Sequence, residues 1–128
     1  MNPAFDQGLA NALATVAANS FDSIMITSAE SDENGLPITY VNPAFTELTG
    51  YGAEEVIGKT PHILQGPKTD QAVLQELREK LDHGQEFYGK AINYRKDGSE
   101  FIMEWKVVPV HNESDKITHF IAVQREAR

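Results

Sequence analysis

The side chains most used in catalysis and metal binding occur in this chain, but not in the patterns that such chemistry needs. Its four histidines, at positions 62, 83, 111 and 119, lack the short spacing of a metal-binding motif. The chain has no cysteine, which excludes disulfides, thiolate metal sites and a cysteine nucleophile within it. It also has no Gly-rich phosphate loop and no Ser, His and Asp arrangement in a recognisable motif. We therefore expect a protein that is not an enzyme and that holds no metal.

Charge and length narrow the functional classes further. The 128 residues fit one domain, and 11 basic against 19 acidic residues give a formal net charge of −8. This charge argues against nucleic acid and an anionic membrane as partners, because both attract cationic surfaces. No run approaches the ~20 apolar residues of a membrane span, and the first residues lack the basic region of a signal peptide. We expect a cytoplasmic domain with no nucleic-acid or membrane partner.

The chain begins with a segment that predicts an amphipathic helix. Within residues 5–20, apolar side chains recur three and four positions apart, which places them on one stripe of a helix. These side chains are Phe5, Leu9, Leu13 and Val16. We interpret residues 1–20 as a dimer or signalling contact and residues 21–128 as the domain proper.

The remaining chain predicts strands on either side of a helical middle. Segments rich in β-branched and apolar residues predict strands at 21–27, 38–41, 86–95, 100–110 and 117–124. Short helices are predicted at 43–49 and 53–57, an irregular connector at 59–68, and a longer helix that begins after Thr69 or Asp70 and ends at Gly84. This order predicts an α+β fold, in which a five-stranded antiparallel sheet carries the helices on one face.

Alternation along the last three strands predicts which side chains face the helices. If Asn93 points inward, then Met103 and Trp105 share a face on the next strand, and Gln124 points inward on the last. The inner face is then apolar and aromatic, with a few amides. Such a surface is typical of a ligand pocket that has a few convergent polar groups.

Four short motifs resemble those of a known family. Residues 41–51 read VNPAFTELTGY, residues 54–58 read EEVIG, residues 93–98 read NYRKDG, and residues 119–124 read HFIAVQ. Together they are similar to the signature of PAS domains, over almost the whole chain after the leading helix. The resemblance implies the PAS fold and a sensory or regulatory role.

Within that family the chain looks most like the LOV branch, the flavin-binding blue-light sensors. The LOV photocycle uses a cysteine in a motif of the form GRNCRFLQ, and here residues 58–65 read GKTPHILQ. Pro61 therefore stands at the cysteine position. The resemblance implies a LOV-like domain that cannot form the covalent cysteinyl–flavin adduct.

The same resemblance implies a set of cofactor-binding residues for FMN or FAD. Carboxamides suit the flavin ring edge because they both donate and accept, and a guanidinium suits a phosphate. Gln65, Arg78, Asn93 and Gln124 agree with LOV residues that contact the flavin. Thr60, His62 and Met103 replace an Asn, an Arg and a second carboxamide, and Trp105 either lies against the ring or fills its space.

The residues also admit plainer interpretations. Asn93 can satisfy backbone groups, Arg78 can be a solvated surface charge among acidic neighbours, and Met103 and Trp105 can be ordinary core side chains. Two functions follow. The first is a sensory domain that binds a flavin non-covalently and signals its redox state or photoreduction through Gln124, as a homodimer, to an effector domain or partner protein. The alternative is a cofactor-free PAS module that works by dimerisation.

Overall fold

The computed structural model describes residues 7–33 and 35–128, and contains a five-stranded antiparallel sheet with helices on one side. The strands are β1 (Ser23–Ser28), β2 (Ile38–Val41), β3 (Phe87–Tyr94), β4 (Glu100–His111) and β5 (Ile117–Glu126). The helices are α1 (Gln7–Ala18), α2 (Pro43–Thr49), α3 (Ala53–Val56) and α4 (Gln71–Asp82), with a 3₁₀ helix at Pro61–Leu64. None of the helices described is long and apolar enough to span a membrane.

The predicted fold is confirmed, with small differences at the element ends. All five strands and the helices α1 to α4 lie where the patterns predict them, although Phe5 lies outside the described residues. The connector at 59–68, predicted to be irregular, contains one 3₁₀ turn that begins at Pro61. Proline is suited to that first position because it has no N–H that would need a partner. Of the two predicted caps of α4, Asp70 is the one used, since its carboxylate accepts the N–H of Ala72 at 2.9 Å.

The sheet order β2-β1-β5-β4-β3 brings the two ends of the domain together at its centre. Strand β5 pairs with β1 on one side, where Gln124 lies opposite Ser23, and with β4 on the other, where Gln124 lies opposite Trp105. Trp105 in turn lies opposite Gly89 on β3. These four residues therefore form one row across the inner face of the sheet, which we call the amide row.

Burial alternates along the strands and separates an inner from an outer face. On β4 the side chains of Phe101, Met103, Trp105 and Val107 are buried in the core, beneath the helices. On the opposite face Tyr88, Ile102 and Val123 are 57%, 50% and 38% exposed. The alternation predicted for the inner face is thus confirmed, and the outer face keeps apolar side chains at the surface.

Both edges of the sheet are partly covered by the chain itself. At the β2 edge, the Ile38 N–H donates to the Lys59 carbonyl at 2.7 Å, and the Ile38 carbonyl accepts the Gly58 N–H at 2.8 Å. At the β3 edge, the Thr69 hydroxyl donates to the Ile92 carbonyl at 2.7 Å. The connections on either side of the 3₁₀ helix thus hold the helical layer to both edge strands.

Asn42 joins α1, β1 and α2 through one buried side chain that is 1% exposed. Its carbonyl oxygen accepts the N–H groups of Phe45 at 3.1 Å and Ile24 at 2.8 Å, so that it caps α2 and extends β1. Its amide nitrogen donates to the carbonyls of Ala17 at 2.8 Å and Asp22 at 3.0 Å. Asn42 therefore fixes where α1 ends relative to the sheet.

We expect Asn42→Ala to lower the free energy of unfolding by about 2–3 kcal/mol, because it removes a helix cap and leaves buried backbone groups without partners. Urea unfolding followed by circular dichroism measures the change. The control is Asn112→Ala, whose side chain bonds only N–H groups of the exposed 112–116 turn. That variant should lose about 1 kcal/mol or less. Equal losses in the two variants would contradict the role assigned to Asn42.

Candidate functional site

A cavity of about 670 Å³ lies between the inner face of the sheet and the helical segment that ends with α4. Met25, Trp105, Val107 and Phe120 form its sheet wall. The helical wall is formed by α4, whose leucines 74, 77 and 81 follow the helical period. A cavity of this size with mostly apolar walls matches the usual ligand pocket.

Polar side chains also line this cavity. Thr60, His62 and Gln65 line it from the 3₁₀ segment, and Arg78 lines it from α4. His62 Nδ1 lies 3.0 Å from Gln65 Oε1, and the Arg78 guanidinium donates to the Gln75 side-chain oxygen at 2.9 Å. Gln75 is neutral, so this bond leaves the charge of Arg78 available. His62 and Arg78 are exposed, which places them at the mouth of the cavity.

The predicted amides Asn93 and Gln124 are buried, but they are not part of the cavity wall. Gln124, 1% exposed, accepts the Ser23 hydroxyl at 2.9 Å, and its Nε2 lies 4.0 Å from the Met25 sulfur. Asn93 Nδ2 donates to the Ala91 carbonyl at 3.3 Å. In the described part of the chain, every buried side-chain nitrogen and oxygen has a partner. The amides are therefore satisfied by the protein itself.

Of the eight residues predicted to bind a cofactor, the structure brings five to the cavity. These five are Thr60, His62, Gln65, Arg78 and Trp105. Asn93, Met103 and Gln124 face the core as the alternation predicts, yet they are not part of the cavity wall. Whether any of the eight binds a cofactor stays a prediction.

Sequence reasoning missed a polar cluster on the outer face. The Glu104 carboxylate accepts the Tyr88 hydroxyl and the Arg125 Nε, the latter at 2.9 Å. The Tyr88 hydrogen bond, followed by that of Arg125, holds the pKa of Glu104 below its usual value, and the same contact raises the pKa of Tyr88. The position of Glu104 between the buried Met103 and Trp105 was the signal that could have found this outward-facing cluster.

Comparison with known protein families shows to which family the chain belongs. The PAS domain family matches residues 22–127, which include every strand and the whole cavity wall. The chain is a PAS domain.

Relatives of this PAS domain are plant proteins of the phototropin, adagio and LOV type. It is 40% identical to Phototropin-2 of Oryza sativa subsp. japonica over 90 residues, which cover 70% of this chain and 10% of that protein. It is 40% identical to Protein TWIN LOV 1 of Arabidopsis thaliana over 92 residues, 71% of this chain and 23% of that protein. The PAS domain thus spans a quarter or less of the length of these relatives.

Solved structures of similar fold are light-oxygen-voltage domains. One, from work on the light-oxygen-voltage domain mechanism with a flavin analogue, has a TM-score of 0.81 and 30% identity, covering 98% of this chain and 88% of that one. Another, an RNA-binding light-oxygen-voltage receptor, has a TM-score of 0.85 and 28% identity, covering 98% of this chain and 36% of that one. The expectation of a LOV-like PAS fold is confirmed.

We expect Ser23 and Gln124 to be energetically coupled, because removing either side chain leaves the buried polar group of the other without its hydrogen-bond partner. Ser23→Ala and Gln124→Leu should each lower the free energy of unfolding by about 1–3 kcal/mol. The double variant should lose about 1 kcal/mol less than their sum. Urea unfolding measures all three.

The control is a second double-mutant cycle, in which Thr69 takes the place of Ser23 as the partner of Gln124. Thr69 is also buried, but its side chain hydrogen bonds Ile92 at the β3 edge. Thr69→Ala and Gln124→Leu should be additive. Additivity of the Ser23 and Gln124 variants as well would contradict the coupling.

Proposed function

We propose that this PAS domain is a LOV-type sensory module that holds a flavin non-covalently in the cavity beside α4. The observation that carries this proposal is the cavity of about 670 Å³, apolar along its walls and polar where Thr60, Gln65 and Arg78 line it. The similarity to light-oxygen-voltage domains, one of them studied with a flavin analogue, supports the choice of ligand. The cavity also argues against a fully filled core, on which the cofactor-free alternative rests.

The mouth of the cavity fits the tail of a flavin nucleotide. A phosphate needs a cationic donor at a point that solvent can reach, and Arg78 has a guanidinium there whose present partner is neutral. Gln65 and Thr60 add amide and hydroxyl groups deeper in the wall. Asp82 also lines this cavity, one turn of α4 beyond Arg78, and would limit the net positive charge that a phosphate meets.

The cavity wall fits the flavin ring only in part. The ring edge would hydrogen bond to amides, but Asn93 and Gln124 are bonded to protein groups and are not part of the wall. Met103, at the position of a second amide, has a thioether that cannot donate a hydrogen bond. The chain offers no cysteine to bond a flavin covalently.

A bound flavin would supply a ring that takes up and releases electrons and protons. The chain's own residues would hold it and relay its state. Gln124 is the natural relay, because its oxygen accepts from Ser23 at the start of β1. The next residue, Ile24, donates to Asn42, which also holds the end of α1. A reoriented Gln124 side chain would therefore act on α1 through Ser23, the adjacent Ile24, and Asn42.

Titration of the purified chain with FMN and riboflavin tests this function. We expect both to bind, with flavin fluorescence quenched and the absorption bands sharpened. Arg78→Ala should weaken FMN about tenfold and leave riboflavin unchanged, because only FMN has the phosphate. Arg125→Ala, on the outer face, is the matched control and should change neither. Failure of both flavins to bind the unaltered chain would refute the proposal.

We further propose that this PAS domain is a homodimer that uses α1. The 12 residues of α1 include no buried side chain, and Leu13 and Val16 are 58% and 67% exposed. A helix this short is marginal in water without packing against another surface. A second copy of the chain would supply that surface for the apolar stripe and gain about 25 cal/mol for each Å² of apolar area buried.

Replacing the α1 stripe should dissociate this dimer. Leu13→Lys combined with Val16→Lys should shift the chain from dimer to monomer in sedimentation equilibrium, and deletion of the residues before Ser20 should do the same. Asn11→Lys combined with Thr15→Lys adds the same charge to the opposite face of α1 and should leave the mass unchanged. A monomeric parent chain, or variants that keep the mass of a dimer, would contradict the role of α1.

A further inference from the structure

Trp105 is the member of the amide row that lines the cavity. It is buried, it is the single tryptophan of the chain, and it lines the cavity from the middle of β4. Its neighbour on β5, Gln124, is buried and is not part of the cavity wall. A ligand in the cavity therefore contacts the indole of Trp105 and not the neighbouring amide of Gln124.

Local packing holds the indole in this place. The rings of Trp105 and Phe87 have centroids 5.1 Å apart and are tilted by 50°, a favourable aromatic arrangement. Phe87 can lie there because Gly89, opposite Trp105, has no side chain. A Cβ at Gly89 would be only 2.5 Å from the Phe87 ring. The glycine thus makes room for Phe87, and Phe87 supports Trp105.

The two sides of Trp105 differ in chemistry. On the cavity side the walls are mainly apolar, with Leu74 and Leu77 of α4 facing the sheet. On the other side the Gln124 oxygen accepts from Ser23, and the partner of its amide nitrogen is the Met25 sulfur, at 4.0 Å. A sulfur is a weak acceptor, so this amide has the most to gain from a ligand that brings a carbonyl oxygen.

We propose that Trp105 is a gate that decides which ring systems reach the Gln124 amide. In the closed position the indole confines a ligand to the apolar part of the cavity. A flat ring with polar edge groups reaches Gln124 only when it displaces the indole from Phe87, and that displacement weakens binding. The proposal rests on the function proposed above for its ligand, and it makes Trp105 a determinant of flavin affinity.

The gate and a stacking platform predict opposite results when the indole is removed. A platform attracts the ring, so that its loss would weaken binding, whereas loss of a gate strengthens binding. We expect Trp105→Leu to bind riboflavin about tenfold more tightly than the unaltered chain, since the ring no longer has to break an aromatic pair. Trp105→Phe, which keeps an aromatic ring but has less bulk, should lie between the two.

Phe101→Leu is the matched control. Phe101 lies on the same strand and the same inner face, is equally buried, and has no part in the cavity wall. It should leave the riboflavin affinity unchanged, which separates the gate from a general loosening of the core. Circular dichroism establishes that each variant is folded, and riboflavin affinity is measured by equilibrium dialysis for all, because loss of the indole would itself change how strongly the flavin fluorescence is quenched.

The outcomes separate this proposal from the proposed function. If the unaltered chain binds riboflavin and Trp105→Leu binds it no more tightly, the gate is wrong and the flavin site stands. If only Trp105→Leu binds, the gate is supported, and flavin is not the ligand of the unaltered chain. If neither the unaltered chain nor Trp105→Leu binds riboflavin, both the flavin site and the gate are wrong. A tenfold gain in Phe101→Leu as well would also overturn the gate.

Discussion

The register of β5 between its two neighbours is the constraint on which the rest of the site depends. It places Gln124 opposite Ser23 on one side and Trp105 on the other, so that a hydroxyl, an amide and an indole meet in one row. A slip of one residue would turn the whole strand over, because side chains alternate between the faces. The cavity wall at Trp105 and the hydrogen-bonded link from Gln124 to α1 therefore both depend on the register of β5.

Much of the fold could be predicted because its signals are local. The alternation on β4 placed Met103 and Trp105 inward, and the Asn42-Pro43 pair marked the start of α2, since both patterns depend on adjacent residues alone. Local sequence signals could not decide whether Thr69 or Asp70 caps α4. Thr69 is drawn to the edge of β3 by the Ile92 carbonyl, which leaves Asp70 to cap the helix.

The candidate site was predicted less completely, because alternation gives the face of a side chain and not its depth. Asn93 and Gln124 face inward as expected, yet neither is part of the cavity wall, and the Gln124 oxygen is held by the Ser23 hydroxyl. The Ser23 contact joins residues 101 positions apart and depends on the pairing of the first and last strands. No pattern along the sequence contains that information.

The covering of both sheet edges has a consequence for how this domain can associate. A bare edge strand is a template for cross-β growth, in which backbone groups of one molecule continue the ladder of another. Here the N–H and carbonyl of Ile38 and the carbonyl of Ile92 are occupied from within the same chain. At these positions a second copy cannot continue the ladder, which favours contacts between copies that are made by side chains and therefore carry specificity.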